Sequence, residues 1–207
     1  MNDYHIPVMA EESVTLLGIR PDGVYADLTF GGGGHSFLIL SKLGERGRLF
    51  SFDQDADAEK NALEITDDRM RFIRSNFRFM RSQLRLRGIT ELDGVFADLG
   101  VSSHHFDTAE RGFSFRQDAR LDMRMNQSGK ISAYDIVNNY SNERLTEIIR
   151  NWGELETPYK IANCIERARS AAPIETIAQL TDAVAPCTPK KDSSRFLSKL
   201  FQALRIE

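Results

Sequence analysis

One stretch near the N-terminus decides the fold: Val24-Tyr25-Ala26-Asp27-Leu28-Thr29-Phe30-Gly31-Gly32-Gly33-Gly34-His35-Ser36. Its first half is apolar, β-branched or aromatic, which predicts a buried strand. Four consecutive glycines follow, and segment 37–43 after them predicts a helix that Gly44 ends in the left-handed conformation. Because glycine permits positive φ and a close approach of the backbone to a ligand, a strand, a glycine turn and a helix N-terminus predict a nucleotide-binding turn.

Two classes of nucleotide fit this turn. The dinucleotide fingerprint is Gly-x-Gly-x-x-Gly or Gly-x-Gly-x-x-Ala, and Gly31 and Gly33 are followed by Ser36 at the third position, so the match is imperfect. The second class is S-adenosylmethionine (SAM), whose turn places small residues at alternate positions after an acid.

The register Asp27-x-Thr29-x-Gly31-x-Gly33 fits the SAM pattern, with Thr29 at a position where glycine is usual. A SAM site needs a carboxylate at the end of the next strand, where it can accept hydrogen bonds from both ribose hydroxyls. Asp53 ends the next predicted strand and supplies that carboxylate. The turn together with Asp53 therefore favours a cofactor site over an ordinary glycine-rich connection.

Predicted strands alternate with predicted helices in the first half of the chain, the strands at 24–29, 49–53, 70–73 and 94–98 and the helices at 55–65 and 79–86. This alternation predicts an α/β fold with a parallel sheet wound in right-handed units. In such sheets the ligand lies beyond the carboxyl ends of the strands. Those ends carry residues 31–35, Asp53, Asn76-Phe77 and Asp98, which we expect to converge on one crevice.

Composition and charge bound the class of protein. The chain has 207 residues, of which 41% are hydrophobic and 28% charged, with a net charge of −3, as in an ordinary globular protein. No apolar run is long enough to span a membrane, and the first residues lack the features of a signal peptide. The two cysteines, Cys164 and Cys187, lack a metal-binding spacing, so we predict reduced, buried thiols, no metal site and a cytoplasmic location.

Basic residues cluster in two segments of this acidic chain. The first segment carries seven arginines, Arg69, Arg71, Arg74, Arg78, Arg81, Arg85 and Arg87, and the second carries Lys190, Lys191, Arg195 and Lys199. Either cluster is explained equally well by a solvated helix face or by contact with nucleic acid.

The alternation of predicted strands and helices stops after residue 103. Segment 107–126 is rich in charge, aromatics and glycine without a helical or strand period, and a long irregular segment beside a site is typical of a functional loop. Helices are predicted beyond it, at 132–138, 142–152, 158–170, 174–184 and 193–206. Ser141 is predicted to cap the second of these helices, and Thr157, before Pro158, the third.

Five motifs together resemble a known family, ribosomal RNA small subunit methyltransferase H: Thr29-Phe30-Gly31-x-Gly33-Gly34-His35-Ser36, Asp98-Leu99-Gly100-Val101-Ser102-Ser103, Glu110-Arg111-Gly112-Phe113-Ser114-Phe115, Leu121-Asp122-Met123-Arg124-Met125 and Phe201-Gln202-Ala203-Leu204-Arg205-Ile206. The motifs occur in order over essentially the whole chain. The resemblance implies a Rossmann-like SAM-dependent methyltransferase with a helical insertion domain. It also implies N4-methylation of a cytosine in 16S rRNA of the small ribosomal subunit.

The resemblance implies a set of cofactor contacts, namely Gly33, Gly34, His35, Asp53, Phe77, Asp98 and His105. His105 stands at a position that is often glutamine. Many amino-methyltransferases carry an acid, amide or serine before two prolines and an aromatic after the fourth strand, whereas Asp98 is followed here by Leu99-Gly100-Val101. The catalytic roles therefore stay open, and Asp98, Ser102 and Asp122 are candidates by location and type only.

The resemblance also implies domain bounds: a SAM-binding domain at 1–106, an irregular and helical insertion domain that contacts RNA at 107–200, and the start of a return to the sheet at 201–207. Because the chain ends inside a predicted helix after only four strands, we expect a truncated form that lacks the later strands and transfers methyl groups poorly. Two other functions remain open, a nicotinamide-dependent oxidoreductase and a non-catalytic RNA-binding module. The oligomeric state is also open.

Overall fold

A computed structural model describes residues 9–101 and 108–207 of the chain. The chain divides into two compact units, which we call the sheet unit (Met1–Gly100 with Met125–Gln127) and the helical unit (Val101–Arg124 with Ser128–Glu207). None of the helices in the described ranges is both long and apolar enough to cross a membrane.

The sheet unit is built on four parallel strands: β1 (Val24–Asp27), β2 (Arg48–Asp53), β3 (Met70–Arg74) and β4 (Gly94–Phe96). Their order across the sheet is β3-β2-β1-β4. This arrangement confirms the predicted α/β, Rossmann-like fold.

Strands β1 and β4 each end two residues earlier than predicted, because hydrogen bonds to side chains redirect the backbone. The Thr29 amide turns back to the side chain of Asp27, with 3.0 Å between N and Oδ1. The Asp98 amide donates to Thr29 Oγ1 at 2.7 Å instead of to a neighbouring strand.

Helices cover both faces of the sheet: α1 (Ala10–Leu16), α2 (Gly34–Lys42), α3 (Ala56–Leu63) and, after a 3₁₀ turn at Phe77–Phe79, α4 (Met80–Arg85). Helices α2 and α3 contribute to one apolar cluster and α4 to the other. Ala58 and Ala62 of α3 are buried, but Leu63 is 80% exposed. Leu63 is turned away because it follows Ala62 by one residue, about 100° around the helix.

Gly44 does not end α2 in the left-handed conformation, so that prediction is wrong. Leu43 leaves the helix in an extended conformation, with φ −81° and ψ 143°, and the Gly44 amide donates to the Pro21 carbonyl at 2.7 Å. A tertiary hydrogen bond therefore replaces the local cap. Gly88 does adopt positive φ, at 77°, beyond the end of α4, as its position after a basic helix indicates.

Within its described residues, the helical unit packs five helices around an apolar core: α5 (Ala133–Asn139), α6 (Asn142–Asn151), α7 (Pro158–Ala171), α8 (Ile177–Val184) and α9 (Ser193–Ile206). Ser141 caps α6 as predicted, accepting from the Arg144 amide at 3.2 Å. Thr157 is the N-cap residue of α7 and Pro158 lies in its first turn, as predicted, although the Thr157 side chain forms no capping hydrogen bond. Helix α8 starts later than predicted because Thr176 and Gln179 form a capping box before it.

The cysteines of the helical unit are half-buried rather than fully buried as predicted. Their Sγ atoms lie 2.9 Å apart, although both are free thiols. Burial and the neighbouring Cys164 raise the pKa of the Cys187 thiol to about 11. The Cys187 side chain is therefore protonated at neutral pH and acts as a packing group.

Candidate functional site

The carboxyl ends of β1 and β2 meet at the glycine turn. The Gly31 amide donates to Asp53 Oδ2 at 2.9 Å, and the Asp55 amide donates to Asp53 Oδ1, also at 2.9 Å. A carboxylate offers about four lone-pair positions, two on each oxygen. Two of these are occupied by backbone amides, so each oxygen keeps one position for a further donor. The side chain of Asp53 is thus held in place and suited to accept from two adjacent hydroxyls.

The glycine turn uses the conformational freedom that its sequence predicts. Gly31 has φ 53° and Gly33 has φ 82°. Gly33 is also the residue that caps α2, and it has no side chain to accept from the first amides of the helix. The amides of Gly34 and His35 in that first turn therefore lack an intrahelical partner and can donate to a ligand.

Replacing Gly33 with alanine should destabilise the fold more than replacing Gly31. A Cβ at Gly33 meets Phe30 at 2.9 Å, whereas at Gly31 the nearest atom is 4.0 Å away. Phe30 is buried and packs edge-on against Phe72, with ring centroids 5.2 Å apart, so it cannot move aside easily. We expect a loss of roughly 1 kcal/mol for Gly31→Ala from positive φ alone and roughly 3 kcal/mol for Gly33→Ala, which adds overpacking.

Urea denaturation of the two variants measures this difference. Equal losses for Gly31→Ala and Gly33→Ala would show that the Phe30 ring does not restrain the turn.

A buried polar network lies beneath the turn. Asp27 is fully buried, and its Oδ2 accepts from Ser36 Oγ at 2.7 Å. Ser36 Oγ also lies 2.8 Å from Ser51 Oγ on β2. Ser36 is the residue that departs from the dinucleotide fingerprint. Its hydroxyl therefore connects the start of α2 to both β1 and β2. Burial raises the pKa of Asp27 to about 6, and the carboxylates of Asp53 and Asp98 add to the effect.

Three supporting residues of this network were not predicted as site residues. Thr29 holds the chain after β4 through its bond to the Asp98 amide, and Asn61 Nδ2 of α3 donates to the Gly31 carbonyl at 3.1 Å. The available signals were polar residues in packed positions: Ser51 stands between Phe50 and Phe52 in an apolar strand, and Asn61 follows the packed Ala58 by three residues.

His35 lies in the first turn of α2 with only 7% of its surface exposed. Its ring packs on Phe96 of β4, with ring centroids 4.3 Å apart. Burial lowers the pKa of His35, although the charge of Asp98 opposes this effect. The imidazole is therefore neutral at pH 7, and its ring is engaged in packing, which leaves the amide as the group that faces the turn.

The loops after β2 and β3 are joined by side chains. Asn76 Nδ2 donates to Gln54 Oε1 at 3.0 Å, and Asn76 Oδ1 accepts from the Arg78 amide at 2.9 Å. Phe77, which follows Asn76, begins the 3₁₀ turn and is 42% exposed. The bond from Asn76 to Gln54 places the start of this turn beside the end of β2, where Asp53 lies. Asp98 is exposed after the end of β4. His105 and Ser102 lie outside the described residues.

Asp122, the candidate in the helical unit, is already bound on both oxygens. Arg124 Nε donates to its Oδ1 at 2.8 Å and Nη2 to its Oδ2 at 2.6 Å. These hydrogen bonds hold the pKa of Asp122 below its usual value. A carboxylate that is ionised and hydrogen-bonded to an arginine through both oxygens is a poor proton acceptor. The geometry therefore favours a role for Asp122 in holding the conformation of its own loop.

Comparison with known proteins agrees with the motifs. A model of the MraW methylase family matches residues 2–207. Among similar proteins are three named Ribosomal RNA small subunit methyltransferase H. The protein of Bacteroides fragilis is 52% identical over 204 residues, that of Parabacteroides distasonis 52% over 205, and that of Christiangramia forsetii 48% over 205, each alignment covering 99% of this chain.

These alignments cover 66% of the Bacteroides fragilis protein and 67% of the other two. The chain thus spans about two thirds of the length of the curated relatives that it matches. The matches confirm the resemblance drawn from the five motifs, and they do not favour an oxidoreductase or a non-catalytic module. With its four-stranded parallel sheet and glycine turn, the chain belongs to the MraW methylase family.

Proposed function

We propose that the protein transfers a methyl group from SAM to N4 of a cytosine in 16S rRNA of the small ribosomal subunit. The family match and the names of the relatives support methyl transfer to ribosomal RNA of the small subunit, and the cytosine N4 target follows from the motif resemblance. The observation that carries the choice of cofactor is the charge at the carboxyl edge of the sheet.

That edge is negative. It carries three carboxylates, and those of Asp53 and Asp98 lie close enough to the buried Asp27 to raise its pKa. The glycine turn, residues 28–36, contains no lysine or arginine, and His35 is neutral because burial lowers its pKa. A pyrophosphate would bring two negative charges to this arrangement and be repelled. SAM brings one carboxylate, but its ammonium and sulfonium give it a net positive charge, which is attracted. The site therefore fits SAM better than a nicotinamide dinucleotide.

The residues present can hold each part of SAM. Asp53 has one acceptor position left on each oxygen for the ribose hydroxyls. The amides of Gly34 and His35 would bind the carboxylate of the methionyl group, with Gly33 keeping the backbone close. The exposed ring of Phe77 would contact the adenine. We extend the site to Asp98 and His105 from the resemblance.

When bound, SAM supplies an electrophilic methyl group on a positively charged sulfur. The cytosine N4 is a poor nucleophile because its lone pair is delocalised into the ring. The protein must therefore hold N4 in line with the methyl group and accept hydrogen bonds from the amino group. The exposed carboxyl of Asp98, at the exit of β4, is our candidate for that acceptor. The target base must be single-stranded or flipped to reach it.

A labelled-methyl assay tests the proposal. Purified protein is incubated with [³H-methyl]-SAM and small ribosomal subunits that lack the modification, and the rRNA is digested for mass spectrometry. We expect label in N4-methylcytidine of 16S rRNA. Label at another atom or in another RNA would contradict the proposed substrate, and SAM binding without transfer would support only the cofactor assignment.

The second basic segment should contribute to RNA binding. Lys190, Lys191 and Arg195 are all exposed in the helical unit. Changing all three to glutamate should weaken binding to 16S rRNA and lower the slope of log K against log salt by about 2, since each contact with single-stranded phosphate contributes about 0.7. SAM affinity should not change. An unaltered salt slope in an anisotropy titration would identify this segment as a solvated face.

A further inference from the structure

We propose that α4 and the 3₁₀ turn before it form a docking surface for a single-stranded segment of the substrate RNA, beside the cofactor site. We call it the arginine surface, and it consists of Arg78, Phe79, Arg81 and Arg85. The inference rests on the proposed function, because it takes the RNA substrate from there.

The first argument is charge. Seven arginines and no acidic residue occur between Arg69 and Arg87. Arg69 pairs with Asp67 and Arg74 with Glu59. Arg78, Arg81 and Arg85 are exposed, and within the described residues none of these three forms an ion pair. In a chain of net charge −3, an acid-free arginine cluster is a local attraction for a polyanion.

The second argument is the direction of these side chains. Leu84 of α4 is buried against the sheet and Met80 is half-buried there. The burial of these two residues, one turn apart, fixes the rotation of the short helix. Arg81 and Arg85 are also one turn apart and therefore lie side by side on the solvent side. Arg78 precedes Arg81 by three residues, about one 3₁₀ turn, so the three arginines follow one another at intervals of about one turn.

The third argument separates RNA from an acidic protein. Phe79 is 48% exposed, and the Arg78 guanidinium lies over its ring, 4.8 Å from the centroid. Exposed aromatic rings and guanidinium planes are the groups on which unpaired bases stack. An acidic peptide gains little from an exposed ring. The combination therefore favours single-stranded RNA.

The fourth argument is position within the sheet unit. The 3₁₀ turn that carries Phe79 is separated from the end of β3 by two residues. Asn76, which caps this turn, is hydrogen-bonded to Gln54, the residue after Asp53. The arginine surface thus begins at the loop next to the proposed ribose acceptor. In the order β3-β2-β1-β4 the surface lies at the opposite edge of the sheet from Asp98, about 14 Å away at about 4.8 Å per strand. An RNA strand whose target base reaches the methyl donor at Asp98 would extend along the carboxyl edge to this surface.

Fluorescence anisotropy with a fluorescein-labelled, single-stranded RNA 12-mer tests the inference. The variant Arg78→Gln/Arg81→Gln/Arg85→Gln should lower the slope of log K against log salt by about 2. Phe79→Ala should weaken binding roughly tenfold with the salt slope unchanged, and Phe79→Tyr should bind as the unmodified protein does, since a stacking ring is retained.

A matched control removes three charges elsewhere in the same unit. Lys42→Gln/Arg46→Gln/Lys60→Gln changes exposed residues of α2, α3 and the loop after α2, where the ion pairs of Arg46 and Lys60 are exposed and worth little. This control should keep the RNA affinity and the salt slope. An equal effect of both triple variants would overturn the inference, because it would show a response to net charge alone.

Two further readouts separate the possible failures. In the first, labelled poly-glutamate replaces the RNA 12-mer. If it binds as tightly as the RNA and the arginine variant loses this binding, the RNA assignment is overturned in favour of an acidic protein partner. SAM affinity is measured by calorimetry for every variant, and thermal unfolding confirms that each is folded. If the arginine variant loses RNA binding but no form of the protein binds SAM, the result supports the arginine surface and contradicts the proposed function.

Discussion

The free energy of unfolding of the unmodified protein is expected to fall by about 3 kcal/mol between pH 4 and pH 7, and Asp27→Asn is expected to abolish this fall. Asp27 is fully buried, and burial raises its pKa from 3.8 to about 6. Between these two values the folded state binds more protons than the unfolded state. Stability therefore falls as the pH rises through this window and stays level above it.

Asparagine should fit the same network without this cost. Its Oδ1 can accept from the Thr29 amide as Asp27 does, and its amide can donate to Ser36 Oγ, which then donates to Ser51. Denaturant unfolding at several pH values measures the difference in the free energy of unfolding between the two proteins. We expect a difference near zero at pH 4 that grows to about 3 kcal/mol in favour of Asp27→Asn at pH 7.

The control for this experiment is Asp68→Asn, at an exposed position. Other acidic residues whose ionisation changes the free energy of unfolding with pH contribute equally to both proteins, so their contributions cancel in the difference. A pH-independent difference for Asp27→Asn would contradict the account of a buried, ionising carboxyl beneath the turn.

Asp53→Ala is expected to weaken SAM binding by about 2–3 kcal/mol, or roughly 30- to 150-fold, since it leaves two ligand hydroxyls without their acceptor. The same change also removes the acceptor of the Gly31 and Asp55 amides. A loss of affinity alone would therefore not separate a ribose contact from a distorted turn.

A cofactor analogue without the two ribose hydroxyls makes that separation. If Asp53 accepts from the hydroxyls, removing them should weaken binding to the unmodified protein but have little further effect on Asp53→Ala. Additive losses in the two titrations would mean that Asp53 acts only by holding the glycine turn.

The sequence predicts what is local in this fold. The apolar runs that form β1 and β2 and the positive φ of Gly31 and Gly33 follow from residue type and spacing. Asp53 could be placed at the carboxyl edge because parallel strands end together there. These predictions needed no knowledge of which distant residues pack together.

The error at Gly44 and the omission of Asn61 involve contacts between distant segments. Gly44 bonds to Pro21 rather than ending its helix in the left-handed form, and Asn61 supports Gly31 from thirty positions away. Sequence spacing shows that Asn61 lies on a packed helix face, but it cannot show which carbonyl is within reach. The supporting role of Asn61 therefore could not be predicted from the sequence.

The central claim, a SAM site at the negative carboxyl edge of the sheet, is tested most directly by calorimetric titration of the unmodified protein with SAM and, separately, with NAD⁺. The account predicts saturable binding of SAM at one site, and no measurable binding of NAD⁺, whose pyrophosphate the carboxylates repel. Binding of NAD⁺ equal to or tighter than that of SAM would contradict it.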